Sequence, residues 1–234
     1  MADSFGEGCL EDATRGLKEV RARILRAERD SARPSGSTRL VCVSKTFGPE
    51  AIQPILQSGE RIFGENRVQE AKAKWPKLKS IFPNVELHLI GPLQSNKVRE
   101  AVELFDVIET VDRPKIAQAL AAEFHRSGRT VRLYVEINIG QEAQKSGVGP
   151  NEADAFVHHL RHELCLTIDG VMCIPPEKGL RSPYFSLLAA IAKRNDLPVI
   201  SMGMSADFET AIHCGATHVR VGSAIFGQRP SVAG

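Results

Sequence analysis

The chain has 234 residues, of which 42% are hydrophobic and 25% are charged, and this size and composition suit one α/β domain with a large core. Thirty Lys and Arg nearly balance 28 Asp and Glu, for a formal charge of +2, which argues against a protein that coats nucleic acid. No run approaches the roughly 18 apolar residues of a membrane span, and residues 1–8 lack the features of a secretory signal. We therefore expect a cytoplasmic protein with no membrane or nucleic-acid partner.

The first predicted element is an amphipathic helix, whose apolar residues recur at spacings of three and four: Leu10, Ala13, Leu17, Val20 and Ile24. A linker rich in Ser, Pro and Gly follows over residues 31–38. From residue 40 onward, short β-branched runs alternate with helical apolar stripes. The sequence thus predicts seven helices between eight strands, at 40–46, 61–66, 86–91, 107–112, 132–139, 166–174, 199–204 and 218–226.

Eight β/α units fill a closed barrel with nothing left over, so a single (β/α)8 TIM-type barrel with an extra N-terminal helix is predicted. An open, doubly wound parallel sheet is the alternative. The helix and linker at 1–38 are assigned to the same domain as the barrel at 39–230. Residues 231–234 are expected to form a loose tail.

The sequence gives little support to metal or thiol chemistry. No CxxC pair or zinc-type spacing is present, and the scattered cysteines are expected to be reduced: Cys9, Cys42, Cys165, Cys173 and Cys214. His158 and His162 are spaced for metal binding on a predicted helix. Since no carboxylate completes a motif, a solvated helix face is the favoured interpretation and no metal is expected.

In such barrels, functional residues follow the carboxyl ends of the strands. The first predicted strand ends in Ser44-Lys45-Thr46. A lysine at the barrel mouth, partly desolvated and near other cations, can be the neutral amine that attacks an aldehyde. Considered alone, however, Lys45 is better explained as a solvated residue at the end of a strand.

The loops after the seventh and eighth strands are the usual phosphate site of this architecture. Here they contain glycine and hydroxyl groups, in the segments 201–205 and 220–223, which suit close backbone approach and hydrogen bonding to an anion. Ser205 and Asp207 can alternatively cap a helix that begins near Phe208. Arg220 lies in an apolar strand, where a guanidinium needs an anion or an acceptor inside the barrel.

Other polar side chains are predicted near the same mouth. Asn66 follows the second strand and offers a neutral donor and acceptor. His88 is interpreted as a hydrogen-bonded interior histidine rather than a catalytic base, because no nucleophile accompanies it. Lys97 either faces a phosphate or lies in solvent at a helix start, and the sequence does not separate the two.

Five ordered segments carry a resemblance to a known family: VSKT at 43–46, FGEN with VQE at 63–70, HLIG with LQSNK at 88–97, residues 201–207, and RVGSAIFG at 220–227. Together they closely resemble the pyridoxal-phosphate homeostasis proteins, over essentially the whole chain. The resemblance implies that Lys45 holds pyridoxal 5'-phosphate (PLP) as an aldimine. It also implies that Arg220 faces the pyridine nitrogen and that Ser205, Gly222 and Ser223 are phosphate ligands. Arg67 departs from the pattern, since many members carry an aromatic residue there.

The family shares its barrel with the N-terminal domain of alanine racemases. A permanently protonated Arg220 beside the ring nitrogen would weaken PLP as an electron sink. The resemblance therefore implies a non-catalytic, vitamin B6-related carrier that passes PLP to apo-enzymes. A fold-type III racemase or decarboxylase is the first alternative, but such enzymes add a β domain and this chain ends with the barrel, which also favours a monomer. An aldolase that uses Lys45 on a sugar phosphate is the second.

Overall fold

The computed structural model describes the backbone of residues 4–227 and the side chains of residues 13–227. Within this part of the chain, eight strands form one closed parallel barrel in sequence order. They are β1 (Arg39–Val43), β2 (Ile62–Glu65), β3 (Glu86–Leu89), β4 (Val107–Val111), β5 (Arg132–Ile137), β6 (Gly170–Cys173), β7 (Val199–Ser201) and β8 (His218–Val221). The predicted (β/α)8 barrel is confirmed, and the open sheet is excluded because β8 pairs with β1.

One helix follows each strand. The described helices are α1 (Ser4–Asp30) before the barrel, then α2 (Pro49–Gln57), α3 (Val68–Ile81), α4 (Val98–Leu104), α5 (Pro114–Ser127), α6 (Ala153–His162), α7 (Ser182–Arg194), α8 (Phe208–His213) and α9 (Ser223–Phe226). A 3-10 turn over Ser95–Lys97 precedes α4. Of these described helices, none combines the length and the apolar character needed to cross a bilayer.

Several predicted strands run longer than the observed ones. The largest difference is at the C-terminal end, where residues 223–226 form α9 rather than the end of β8, because a short apolar run does not distinguish a strand from a buried helical turn. β7 ends at Ser201, and the chain then turns at Gly203 with a φ of 90°. A Cβ at Gly203 would lie 2.5 Å from the Cβ of Ala211, so this turn requires glycine.

The helix α1 packs on the barrel and contributes to the same hydrophobic core. Its buried residues are Ala13, Leu17, Val20, Ile24 and Ala27. Where α1 crosses α9, a Cβ on Gly16 would lie 2.6 Å from the carbonyl oxygen of Ala224. The side chain of Leu10 and the predicted tail at 231–234 lie outside the described residues.

The first and last strands meet at a seam. In the register of this pair, Val41 is opposite Arg220 and Cys42 is opposite Val221. The loops that leave β1 and β8 are therefore neighbours at the carboxyl end of the barrel. This seam brings Lys45 close to the loop that contains Gly222 and Ser223, although nearly the whole barrel separates them in sequence.

Candidate functional site

A cavity of about 330 Å³ opens among the loops at the carboxyl ends of the strands. All six predicted site residues line it: Lys45, Asn66, Ser205, Arg220, Gly222 and Ser223. Its other walls are mostly apolar and include Val43, Phe47, Ile90, Ile174 and Met204. The structure thus brings together, from four different strand ends, the residues that sequence patterns selected separately.

Lys45 is half-buried and lies two residues beyond the end of β1. The neighbouring Ser44 is fully buried, and its Oγ donates a hydrogen bond of 2.6 Å to Oε1 of Glu65 on β2. On the other side, the ring of Phe47 stacks on that of Phe226 with centroids 5.0 Å apart. The backbone that carries Lys45 is therefore fixed on both sides of the residue.

The two predicted phosphate loops contact each other in the wall of the cavity. The backbone N–H of Ala224 donates to Oγ of Ser205 across 3.4 Å. A Cβ on Gly222 would approach the carbonyl oxygen of Val43 to 3.1 Å, so glycine lets the β8 loop pass close to β1. These contacts create an edge of hydroxyl groups and bare backbone, which suits an anion.

The capping alternative for Ser205 does not describe this loop. Asp207 occupies the N-cap position of α8, and no side chain caps that helix by a hydrogen bond. Instead, Oδ1 of Asp207 accepts a 2.7 Å hydrogen bond from the N–H of Met204. Asp207 closes the loop on itself, and Ser205 is left facing the cavity.

Arg220 points into the barrel and is only 4% exposed. Its Nη1 donates to Oγ of Ser201 at 2.7 Å, and its Nη2 donates to the carbonyl oxygen of Cys173 at 2.8 Å. A carboxylate oxygen of Glu109 lies 3.7 Å from Nη1. The acceptors that the sequence requires for Arg220 are thus supplied by the protein, and they hold its guanidinium at the floor of the cavity.

A chain of polar groups, buried except for the partly exposed Glu86, includes Arg220 and continues below it. We call it the barrel network: Glu86, His88, Glu109, Ser201 and Arg220. Nδ1 of His88 lies 2.6 Å from Oε1 of Glu109, and Nε2 lies 2.8 Å from Oε1 of Glu86. The Oγ of Ser201 donates to Oε2 of Glu109 at 2.6 Å. Because carboxylates face both ring nitrogens, both must donate, which requires the imidazolium form.

The pKa values of the barrel network agree with this charge state. Burial disfavours charge on His88, but its hydrogen bonds to Glu109 and Glu86 outweigh burial and raise the pKa of His88. Burial also acts against ionised Glu109, yet His88 and Arg220 lower the pKa of Glu109 below its ordinary value. The prediction of a satisfied interior histidine agrees with these contacts, and His88 is not among the described cavity-lining residues.

Sequence reasoning missed Glu109, and it assigned Ser201 to the phosphate loop rather than to the barrel network. The available signal was an acidic residue in the middle of the apolar run that forms β4, where alternation directs one side chain in every two toward the barrel interior. An acid at such a position needs a buried partner.

The remaining candidates lie away from the cavity. Lys97 forms an ion pair with Glu100 at 2.8 Å and does not line the cavity. His158 and His162 are exposed on α6, with ring centroids 4.4 Å apart. In the described part of the chain, no three His, Cys, Asp or Glu side chains are grouped to hold a metal. Burial raises the pKa of Cys173 to about 12, so its thiol stays protonated.

The fold and the site define a class of protein: a (β/α)8 barrel with a lysine after its first strand and an edge of hydroxyl groups and bare backbone after its last two. A sequence profile of the alanine racemase N-terminal domain matches residues 17–230. The pyridoxal phosphate homeostasis protein of Haemophilus influenzae is 36% identical, covering 91% of this chain and 94% of its own. The human protein of the same name is 37% identical, covering 98% of this chain and 89% of its own.

A solved structure gives the same result. PipY of Synechococcus elongatus PCC7942, with PLP bound, superposes with a TM-score of 0.74 at 34% identity, and the match covers 89% of this chain and all of PipY. The chain belongs to the pyridoxal phosphate homeostasis protein family.

Proposed function

We propose that this protein binds PLP in the cavity at the barrel mouth and serves PLP homeostasis without catalysing a reaction of its own. The observation that carries the proposal is the convergence of all six predicted site residues on one cavity. The volume and apolar walls suit an aromatic ring, and the edge made by Ser205, Gly222 and Ser223 suits a phosphate. PLP in the PipY structure supports the same ligand.

Lys45 is the proposed Schiff-base lysine. When bound, PLP supplies an aldehyde for an amine and a ring that can withdraw electrons. Arg220 lies on β8, which pairs with the strand that precedes Lys45. Its guanidinium donates hydrogen bonds to Ser201 and to the carbonyl oxygen of Cys173. A guanidinium stays protonated, so it donates a hydrogen bond to the pyridine nitrogen of PLP but does not transfer a proton to it. Arg220 would therefore limit electron withdrawal while orienting the ring.

The chemistry of the cavity wall supports a carrier rather than a racemase, decarboxylase or aldolase. Among the described residues, those that line the cavity include no His, Cys, Tyr, Asp or Glu. Lys45 could act as a base, but a racemase needs a further acid or base on the opposite face of the substrate. The other two enzymes need a proton donor or acceptor in addition to the lysine that holds the cofactor or substrate. Tyr134 is fully buried next to His88 and His218 instead.

Release of the cofactor requires an accessible mouth. Ser223 and Gly227, which line the cavity, are exposed, so the anion-binding edge can be reached from solvent. We propose that the protein exchanges PLP with apo-enzymes as a monomer in the cytoplasm, in agreement with the relatives that are named homeostasis proteins.

Incubation of the purified protein with PLP is expected to give a yellow species that borohydride converts into a stable adduct on Lys45. Peptide mass spectrometry locates the adduct. Lys45→Ala should abolish it, whereas Lys97→Ala, which removes a lysine paired with Glu100, should leave it intact. An adduct that persists in Lys45→Ala contradicts the assignment.

Two further results would favour the alternative functions. A colourless protein that forms a reducible adduct with a ketose phosphate would indicate the aldolase. Rapid isotope exchange at the α-carbon of an amino acid would indicate a racemase or decarboxylase.

Ser205→Ala is expected to weaken PLP retention while the link to Lys45 still forms. A hydrogen bond to a charged group contributes about 1.5–3 kcal/mol, so the dissociation constant should rise by about tenfold or more. Equilibrium dialysis measures the change. Ser80→Ala is the matched control, because this exposed hydroxyl only donates to the carbonyl oxygen of Lys77. Equal retention in both variants would remove Ser205 from the phosphate site. Arg220→Ala should also weaken retention, but it disturbs the barrel network as well.

A further inference from the structure

A buried lysine of α3 contacts the segment that carries Lys45. The side chain of Lys74 is 6% exposed. Its Nζ lies 2.9 Å from the carbonyl oxygens of both Ser44 and Phe47. Carboxylate oxygens of Glu65 and Glu70 lie 2.9 and 2.8 Å from the same atom. One ammonium group thus contacts the backbone on both sides of Lys45.

The segment from Ser44 to Phe47 is a β-turn with Lys45 and Thr46 at its centre. The N–H of Phe47 donates to the carbonyl oxygen of Ser44 at 3.2 Å. Thr46 has a φ of 69°, in the left-handed region that glycine and asparagine prefer at this place in a turn. A β-branched residue rarely adopts this conformation unless surrounding contacts impose it.

The two carboxylates complete these contacts. Oε1 of Glu70 accepts a 2.5 Å hydrogen bond from the N–H of Thr46. Oε1 of Glu65 accepts hydrogen bonds from Oγ of Ser44 and from Nε1 of Trp75. Lys74 therefore joins two acids that hold the turn from either side, and it also binds the turn itself. Only a group with several donors can satisfy these acceptors together.

We propose that Lys74 is a positioning residue that clamps this turn in its strained conformation and so directs the amine of Lys45 into the cavity. The proposal rests on the function proposed above, in which Lys45 is the residue that joins the cofactor. Lys74 does not itself line the cavity, and it acts through the backbone of the turn. Its i, i+4 spacing from Glu70 resembles an ordinary surface pair, but its burial and its two carbonyl contacts assign it a different role.

Lys74→Met tests the clamp, because methionine keeps an unbranched side chain of similar length and removes the donors. In the cofactor-free protein, amide hydrogen exchange at Thr46 and Phe47 should accelerate by about tenfold or more, since a charged hydrogen-bond donor is lost. The rate at which PLP forms a reducible adduct with Lys45 should fall by a similar factor. Lys72→Met is the matched control, because Lys72 lies on the same helix and pairs with Glu100 at the surface.

A second substitution separates clamping from general stabilisation. Glycine adopts a positive φ without strain, so adding Thr46→Gly to Lys74→Met should restore much of the adduct rate. A purely structural Lys74 would not respond to this change. The clamp is overturned if Lys74→Met alters neither exchange nor adduct rate, or if Thr46→Gly brings no recovery.

If Lys74→Met does not fold, Glu70→Ala replaces it. This residue lies at the edge of the cluster with 28% of its side chain exposed, and its loss should accelerate exchange at Thr46 in the same direction. Unchanged exchange there would equally overturn the clamp. Failure of the wild-type protein to form an adduct on Lys45 would instead reject the proposed function, while the exchange experiment still decides whether Lys74 holds the turn.

Discussion

Replacement of Glu109 with alanine is expected to lower the free energy of unfolding by about 3–5 kcal/mol, as when one partner of a buried ion pair is removed. Glu109 is fully buried and lies between two cations, His88 at 2.6 Å and Arg220 at 3.7 Å. Without it, both cations stay in the barrel with less compensation, and Oγ of Ser201 loses its acceptor. Arg220 would also lose the carboxylate that lies 3.7 Å from its guanidinium.

Urea denaturation at neutral pH measures this loss. Glu103→Ala is the control, because Glu103 is an exposed acid that pairs with Arg99 on α4, and removing an exposed pair changes stability by about 1 kcal/mol or less. A loss of similar size in the two variants would mean that the barrel network does not hold the charges assigned to it. Glu109→Gln should lie between the wild type and Glu109→Ala, because it keeps an acceptor but removes the charge.

Glu136→Gln is expected to change how stability depends on pH. Burial, followed by the negative charge of Asp112, raises the pKa of Glu136 from 4.5 to about 7. Between these values the folded protein binds a proton more readily than the unfolded chain, so this carboxyl stabilises the fold at acid pH and loses that effect as pH rises through 7. Since a difference of one pKa unit corresponds to about 1.4 kcal/mol, the free energy of unfolding falls by about 3 kcal/mol over this range.

Between pH 4.5 and pH 7.5, the free energy of unfolding of the variant should therefore rise by about 3 kcal/mol relative to that of the wild type. Urea denaturation at the two pH values measures this change. Glu103→Gln, which changes an exposed acid, should show no such gain. A constant difference between the variant and the wild type at both pH values would show that Glu136 titrates normally.

His218 has the opposite effect on stability. Burial above all lowers the pKa of His218 from 6.5 to about 4, so the unfolded chain binds the extra proton and stability rises with pH between 4 and 6.5. In the wild type, this rise offsets the loss from Glu136 over the range that they share. The Glu136→Gln variant should accordingly become more stable as pH rises through that range.

The architecture and the cavity could be predicted from the sequence because both depend on local patterns. Short apolar runs that alternate with amphipathic stripes identify the β/α units, and the position of Lys45 or Gly222 after a run identifies a strand end. The predicted positions of the strand ends were less accurate. The run that ends at Phe226 is apolar enough for a strand, yet it forms α9 because pairing in β8 stops at Val221.

The buried charges could not be predicted in the same way, because their partners are distant in sequence. Lys74 has Glu70 four residues before it, the signature of a solvated helix pair, and only the folded chain shows its contact with the turn at Ser44. Glu109 likewise depends on His88 and Ser201, from two other strands. Such charges are compatible with a buried position only when all of their partners are in place.

The seam between β1 and β8 has a consequence for the order of events during synthesis. Lys45 leaves the ribosome well before Arg220 and Ser223, and all three line the cavity. A nascent chain that lacks β8 therefore has the amine but not the proposed anion-binding edge. A ligand held across the seam binds only the finished barrel and so favours closure of its first strand on its last. With the cofactor at the proposed site, its binding and the completion of the fold are one linked equilibrium.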